Sequence, residues 1–72
     1  MYGFVFYFYS NEGQEPMHIH VRKAGGFAKF WMEPIELDFA QGMKVRDIKL
    51  AEELIIEHEA VIQSKWHEIH GS

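Results

Sequence analysis

Residues 18–39 read HIHVRKAGGFAKFWMEPIELDF and carry the clearest structural pattern of the chain. Residues 18–21 and residues 35–39 alternate polar and apolar side chains with a period of two, which is typical of half-buried β-strands. Turn-forming residues interrupt the pattern at residues 24–26 and at residues 33–34. Because such short connections join antiparallel neighbours, this stretch predicts three strands of an antiparallel meander.

The sequence on either side extends this pattern into an α+β domain. Residues 4–9, FVFYFY, favour β-structure and predict a further strand before the meander. Residues 45–69 lack glycine and proline and repeat apolar residues at three- and four-residue steps, which predicts a helical region. This region is either one long helix or two short helices divided near His58. We expect a single domain over residues 1–72, in which a meander of three to four strands, at about residues 4–39, has the helical region packed on one face.

The composition indicates a small folded domain and excludes several other classes. Of the 72 residues, 47% are apolar and 25% are charged, which is typical of a folded domain rather than a disordered chain. The absence of cysteine rules out disulfides and thiolate metal sites. Residues 1–9 hold no basic residue, so no signal peptide is expected, and no apolar run is long enough to cross a bilayer. We expect a soluble cytoplasmic domain that binds no membrane and no cofactor.

The charge of the chain disfavours nucleic acid as a partner. The formal net charge is −4, whereas phosphate-driven binding needs an excess of Lys and Arg. Residues 1–32 hold three basic and two acidic residues, and residues 33–72 hold four basic and nine acidic residues. The second half should therefore repel a nucleic acid, and only a local site in the first half is left open.

Alternation divides the strand residues between two faces of the predicted sheet. One face is apolar and should be covered by the helical region: Phe4, Phe6, Phe8, Ile19, Val21, Ala28, Phe30, Ile35, Leu37 and Phe39. The other face is polar and aromatic: Val5, Tyr7, Tyr9, His18, His20, Arg22, Phe27, Lys29, Trp31, Glu36 and Asp38. In this second face Tyr7, Tyr9 and Trp31 are candidate binding residues, because an uncovered aromatic face often contacts a partner. Cross-strand pairing that only stabilises the sheet is the alternative interpretation.

His18 and His20 are the candidate catalytic and metal-binding residues. Residues two apart on a strand share one face and lie about 7 Å apart at Cα, so we expect both imidazoles on the uncovered face. This spacing suits a general acid and base, with Arg22 or Lys29 holding a phosphate. It also suits two ligands of a metal ion. Histidines that only make structural hydrogen bonds are the third interpretation.

Four aromatic residues of the helical region are assigned mainly structural roles. His58, His67 and His70 are further candidate metal ligands, but no compact spacing ties them to the pair on the strand. Histidines near the end of a helix are also favoured by its macrodipole. Trp66 falls on the apolar stripe of the helical region and is expected to anchor the core.

Several short segments together carry a resemblance to a known family. They are YSNE at residues 9–12, EPMHIHV at residues 15–21, AKFW at residues 28–31 and WHE at residues 66–68. With these segments the chain resembles the small bacterial family called domain of unknown function 4160. The resemblance implies a partner from a second small family, domain of unknown function 2442, encoded by a neighbouring gene. Such two-gene pairs resemble toxin–antitoxin modules.

The leading prediction is therefore a small bacterial protein-interaction domain, one component of a toxin–antitoxin-like pair. A thin core and an aromatic second face also favour a homodimer. The first alternative is a minimal nuclease or phosphodiesterase in which His18 and His20 share proton transfer. The second alternative is a metal-binding module. Whether the protein is an enzyme stays open at this point.

Overall fold

The computed structural model describes residues 3–9 and 14–71. It confirms an α+β fold with four antiparallel strands in one sheet, in the order β1-β2-β3-β4. The strands are β1 at Val5–Tyr7, β2 at His18–Lys23, β3 at Gly26–Met32 and β4 at Ile35–Gln41. Two helices follow, α1 at Val45–Glu57 and α2 at Glu59–His70. The predicted turn that precedes β2 lies partly outside the described residues.

The hairpin between β2 and β3 has a local cause and a tertiary one. Ala24 and Gly25 both have positive φ, 49° and 84°, the combination that a two-residue type I′ turn requires. Gly26, the first residue of β3, is needed for packing instead. A Cβ atom at Gly26 would lie 2.4 Å from the carbonyl oxygen of Gly42, just after β4. Only glycine therefore lets the start of β3 and the residue after β4 lie so close together.

The core lies between the sheet and the two helices. Its side chains include Val21, Phe30 and Met32 from the strands, and Leu54 and Ile55 from α1, each at most 4% exposed. Alternation along β2 and β3 directs these strand residues to one face, and the 3.6-residue period directs the residues of α1 onto them. The predicted packing of the helical region on one face is confirmed.

The predicted face of Phe39 is wrong. Lys29 pairs with Phe39, but its neighbour Phe30 pairs with Leu37, so Asp38 is an extra residue opposite this step. Such a bulge shifts the alternation of β4 by one residue. Phe39 consequently points to the uncovered side, where its ring packs edge-on against Phe27 at 5.9 Å between centroids.

The helical region is divided, as one of the two alternatives predicted. The break is at His58, whose φ of −110° and ψ of 23° interrupt the helical backbone between α1 and α2. Because of the break, the apolar stripe does not remain buried along its length. Trp66 is a buried anchor, as predicted, at 5% exposure, whereas Val61 and Ile69 are 57% and 46% exposed.

Candidate functional site

The side of the sheet opposite the helices carries four exposed apolar or aromatic side chains. We call it the open face. Val5, Tyr9, Phe27 and Phe39 each expose between 37% and 51% of their surface there. Single exposed apolar residues are common in proteins, but several on one sheet face are typical of an interaction surface.

Four of the predicted residues meet at the β1–β2 edge of the open face. The rings of Tyr7 and His20 are stacked at 5.3 Å between centroids, and Tyr9 approaches His20 edge-on at 4.9 Å. The guanidinium carbon of Arg22 lies 5.6 Å from the centre of the Tyr7 ring. Pairing of Val5 with Arg22 and of Tyr7 with His20 sets this arrangement. The result is an aromatic group with a cation at its side.

Lys29 lies farther along the open face, and its charge is already compensated. Its ammonium nitrogen lies 4.4 Å from the centre of the Trp31 ring. The same nitrogen is 2.9 Å from a carboxylate oxygen of Glu15 and 3.8 Å from one of Asp38. Asp38 is close enough because the bulge places it there. Lys29 therefore belongs to a charge cluster and is poorly suited to hold a phosphate.

His18 is on the same side of the sheet as His20, as predicted, but it is not exposed. The two rings are 5.2 Å apart, yet His18 is 0% exposed. Trp66 of α2 packs against it at 5.0 Å and Trp31 at 5.6 Å. Its Nδ1 donates a hydrogen bond of 2.9 Å to the carbonyl oxygen of Pro16. The expectation of an exposed imidazole fails because the indole of Trp66 covers this end of the sheet.

A cavity of about 540 Å³ lies beside this covered histidine. Its lining includes the two indoles, Trp31 and Trp66, together with the exposed carboxylates Glu33 and Glu36. Sequence reasoning selected Trp31 but missed the cavity, because the other indole comes from α2, more than thirty positions along the chain. Two aromatic rings and two carboxylates are a combination that favours a cationic group.

His58 and His70 are placed away from the pair on β2, and His67 lies on α2. His58 lies at the break between the helices, and His70 packs on Trp66 at 3.9 Å between ring centroids. Nε2 of His70 lies 3.2 Å from the carbonyl oxygen of Tyr9. Within residues 3–9 and 14–71, no group of three or more histidine, aspartate or glutamate side chains is placed to hold a metal ion.

Comparison with known proteins identifies the family of the chain. A family model described as "Domain of unknown function (DUF4160)" matches residues 3–67. The chain belongs to this family. The resemblance seen in the sequence is thereby confirmed, without an activity attached to it. No curated protein and no solved structure matches the chain. In the part of the chain that the structure describes, neither helix has the length and apolar character needed to cross a membrane.

Proposed function

We propose that this member of the family is a protein-interaction domain that binds its partner on the open face of the sheet. The observation that carries the proposal is the group of exposed apolar side chains on that face, which the helices leave uncovered. Aromatic residues and arginine are the side chains that most often dominate binding energy at protein interfaces. Tyr7, Tyr9 and Arg22 supply them at the β1–β2 edge, and Trp31 supplies a further aromatic ring on β3, opposite His18.

The charges of the open face favour a protein over a nucleic acid. Lys29 is held by Glu15 and Asp38, and Glu33 and Glu36 lie at the end of the same face. A phosphate backbone would meet these carboxylates, and the chain carries a net charge of −4. A partner with basic and apolar side chains is complementary to such a surface.

The cavity next to Trp31 is suited to hold a side chain of the partner. We expect an arginine or lysine side chain of the partner to enter between the two indoles and approach Glu33 and Glu36. A cation over an aromatic face contributes about 0.5–2 kcal/mol, depending on how far it is desolvated. The carboxylates would add charge-assisted hydrogen bonds, and a bidentate arrangement favours arginine over lysine.

The partner proposed is the small protein of the domain of unknown function 2442 type that the resemblance implies, encoded beside this chain. In this proposal the two proteins form a toxin–antitoxin-like pair, and the open face is where they meet. A second copy of the chain is the other candidate occupant, since a thin core and an aromatic face also suit a homodimer.

The nuclease and metal-binding alternatives receive no support from these contacts. His18 is buried under Trp66 and bonded to Pro16, so it would need a rearrangement before it could exchange a proton with a substrate. Lys29 already has two carboxylate neighbours. Binding of a protein partner on the open face, by contrast, requires no rearrangement of these residues.

Calorimetric titration of the chain with the purified neighbouring protein tests the proposal. Tyr9→Ala and Phe39→Ala change exposed residues, so both variants should fold and each should weaken binding by about tenfold or more. Glu36→Gln should weaken it by less. Ile56→Ala, at an exposed position of α1, is the matched control and should bind normally.

Three outcomes would contradict the proposal. The first is an unchanged affinity in both aromatic variants, and the second is a loss of binding in the Ile56 control alone. The third is a chain that stays monomeric in sedimentation and does not bind the neighbouring protein. If the isolated chain sediments with a mass above 8.5 kDa and the Phe39 variant does not, the occupant of the open face is instead a second copy of the chain.

A further inference from the structure

His70 connects the end of α2 to the sheet. Its half-buried imidazole packs on the ring of Trp66 at 3.9 Å between centroids. Nδ1 lies 3.2 Å from the carbonyl oxygen of Trp66, one turn earlier in the same helix. Nε2 lies 3.2 Å from the carbonyl oxygen of Tyr9, which is 61 positions away in the chain and follows β1. Both ring nitrogens therefore face backbone carbonyl oxygens.

This pair of contacts suits an imidazole that carries two protons. A carbonyl oxygen only accepts hydrogen bonds, so each contact needs an N–H from the ring. A neutral imidazole has one N–H and one bare nitrogen, whereas the cation has an N–H on both nitrogens. In the neutral form, one nitrogen lone pair therefore faces a carbonyl oxygen, and one of the two bonds is lost. Only the protonated ring makes both bonds.

The position of His70 in the helix favours the same charge. His70 is the last residue of α2, and Gly71 follows it in the left-handed conformation that ends the helix. The carbonyl groups of a last helical turn give that end a partial negative charge, which stabilises a cation there. The two facing carbonyls and the helix end therefore both favour the protonated ring.

His70 contacts one residue from each of the two surfaces that bind the partner. Tyr9 belongs to the aromatic group at the β1–β2 edge, where its ring lies 4.9 Å from that of His20. Trp66 lines the cavity beside Trp31. The bond from Nε2 holds the backbone that carries Tyr9, and the imidazole supports the indole of Trp66. Losing one of its two bonds would therefore loosen both binding surfaces at once.

We propose that His70 is a pH-dependent clip, which in its protonated form fixes Tyr9 and Trp66 and makes the partner bind more tightly at acidic than at alkaline pH. The effect on affinity rests on the proposed binding at the open face, whereas the clip itself belongs to the isolated chain. Histidine is the side chain that ordinarily exchanges its proton near physiological pH. Residues that are fixed before the partner arrives lower the entropy cost of binding.

Other titratable and charged groups surround His70, so its effect must be separated from theirs. Among the described residues they are Tyr9 and His20 from the sheet edge, His18 against Trp66, and His67 with the Lys65–Glu68 ion pair on α2 itself. Glu33 and Glu36 line the cavity that Trp66 also lines. As a histidine of the contact group, His20 contributes its own pH dependence to binding. The decisive quantity is therefore the difference between variants.

The clip is tested first by thermal melting of the isolated chain, followed by circular dichroism. Between about pH 6 and about pH 8.5 histidines lose their proton, while carboxylates and lysines keep their charge. The bonds of the protonated ring contribute fully at the lower pH, and one of them is lost as the pH rises, so the melting temperature should fall. His70→Gln keeps one donor but gains no proton, and its fall should be smaller by about 4 °C or more.

His67→Gln is the matched control for this experiment. His67 is an exposed histidine of the same last turns of α2, and the variant should keep the full pH dependence of the natural chain. NMR spectra of the imidazole groups give a second readout. At the lower pH both ring N–H protons of His70 should exchange slowly with water, because both are hydrogen-bonded.

The effect on binding is measured by calorimetric titration with the neighbouring protein at the same two pH values. The natural chain and His67→Gln should bind more tightly at the lower pH, and His70→Gln should lose about fivefold or more of that difference. An equal pH dependence of melting in the natural chain and His70→Gln would overturn the clip, whatever the partner does. A clip that is present in melting but leaves the pH dependence of affinity unchanged would overturn its role in binding. Absence of binding at both pH values would contradict the proposed function, while the melting data decide the clip.

Discussion

Replacing His18 by alanine should destabilise the domain strongly, unlike the replacement of an exposed histidine. The substitution removes a fully buried ring that packs against Trp31 and Trp66. Truncation of a side chain of this size in a core costs about 2–4 kcal/mol. Loss of the hydrogen bond to Pro16 adds about 1 kcal/mol. We therefore expect the free energy of unfolding to fall by roughly 3–5 kcal/mol, a large share of what a small domain possesses.

Two further variants at the same position separate packing from hydrogen bonding. His18→Asn keeps a donor that can reach the carbonyl oxygen of Pro16 but removes the ring. His18→Leu keeps most of the volume but leaves that carbonyl without its partner. Both should be more stable than the alanine variant if the two contributions are independent. Urea denaturation followed by circular dichroism measures the differences.

His20→Ala is the matched control, because His20 is half-buried on the open face. It loses its stacking on Tyr7, and the expected cost is about 1 kcal/mol. For a domain of this size, 1 kcal/mol corresponds to a change in melting temperature of about 4–8 °C. The His18 variant should therefore melt at least about 8 °C below the His20 variant.

Equal stability of the two alanine variants would refute this reasoning. It would mean that Trp66 does not cover His18 in solution. The alternation of residues 18–21 by itself predicts that equality, because it assigns both histidines to an exposed face and a cost near 0.5 kcal/mol for each. The comparison therefore tests the tertiary contact directly, and it identifies His20→Ala as the cleaner variant for binding assays.

Two other changes test individual contacts. Gly26→Ala should lower the melting temperature by about 8 °C or more. The new Cβ would lie 2.4 Å from the backbone oxygen of Gly42, so the start of β3 and the end of β4 must separate. An unchanged melting curve would contradict this. His70→Ala should lower the free energy of unfolding by about 1 kcal/mol and shift the fluorescence emission of Trp66 to longer wavelength. The reason is that the imidazole packs on the Trp66 ring and its Nε2 approaches the carbonyl oxygen of Tyr9. Unchanged fluorescence would show that the end of α2 is held by other contacts.

The local patterns of the sequence were sufficient for the architecture. Alternation at residues 18–21 and 35–39 predicted strands, and the turns between them predicted an antiparallel meander, because neighbours joined by two residues have little choice of partner. The absence of glycine and proline in residues 45–69 predicted the helical region. These signals depend on residues close together in the chain, and for that reason they can be read without the structure. The common side of His18 and His20 follows from the same period of two.

The positions that the sequence did not predict depend on how one element packs against another. The hydrogen-bond register between β3 and β4 requires a bulge at Asp38, and the bulge moves Phe39 to the other face. No feature of β4 alone specifies that register. Trp66 buries His18 because α2 turns at His58 and brings its last turns to the end of the sheet. Periodicity assigns a residue to a face of its own element, but burial depends on which other element reaches that face, and this is a property of packing alone.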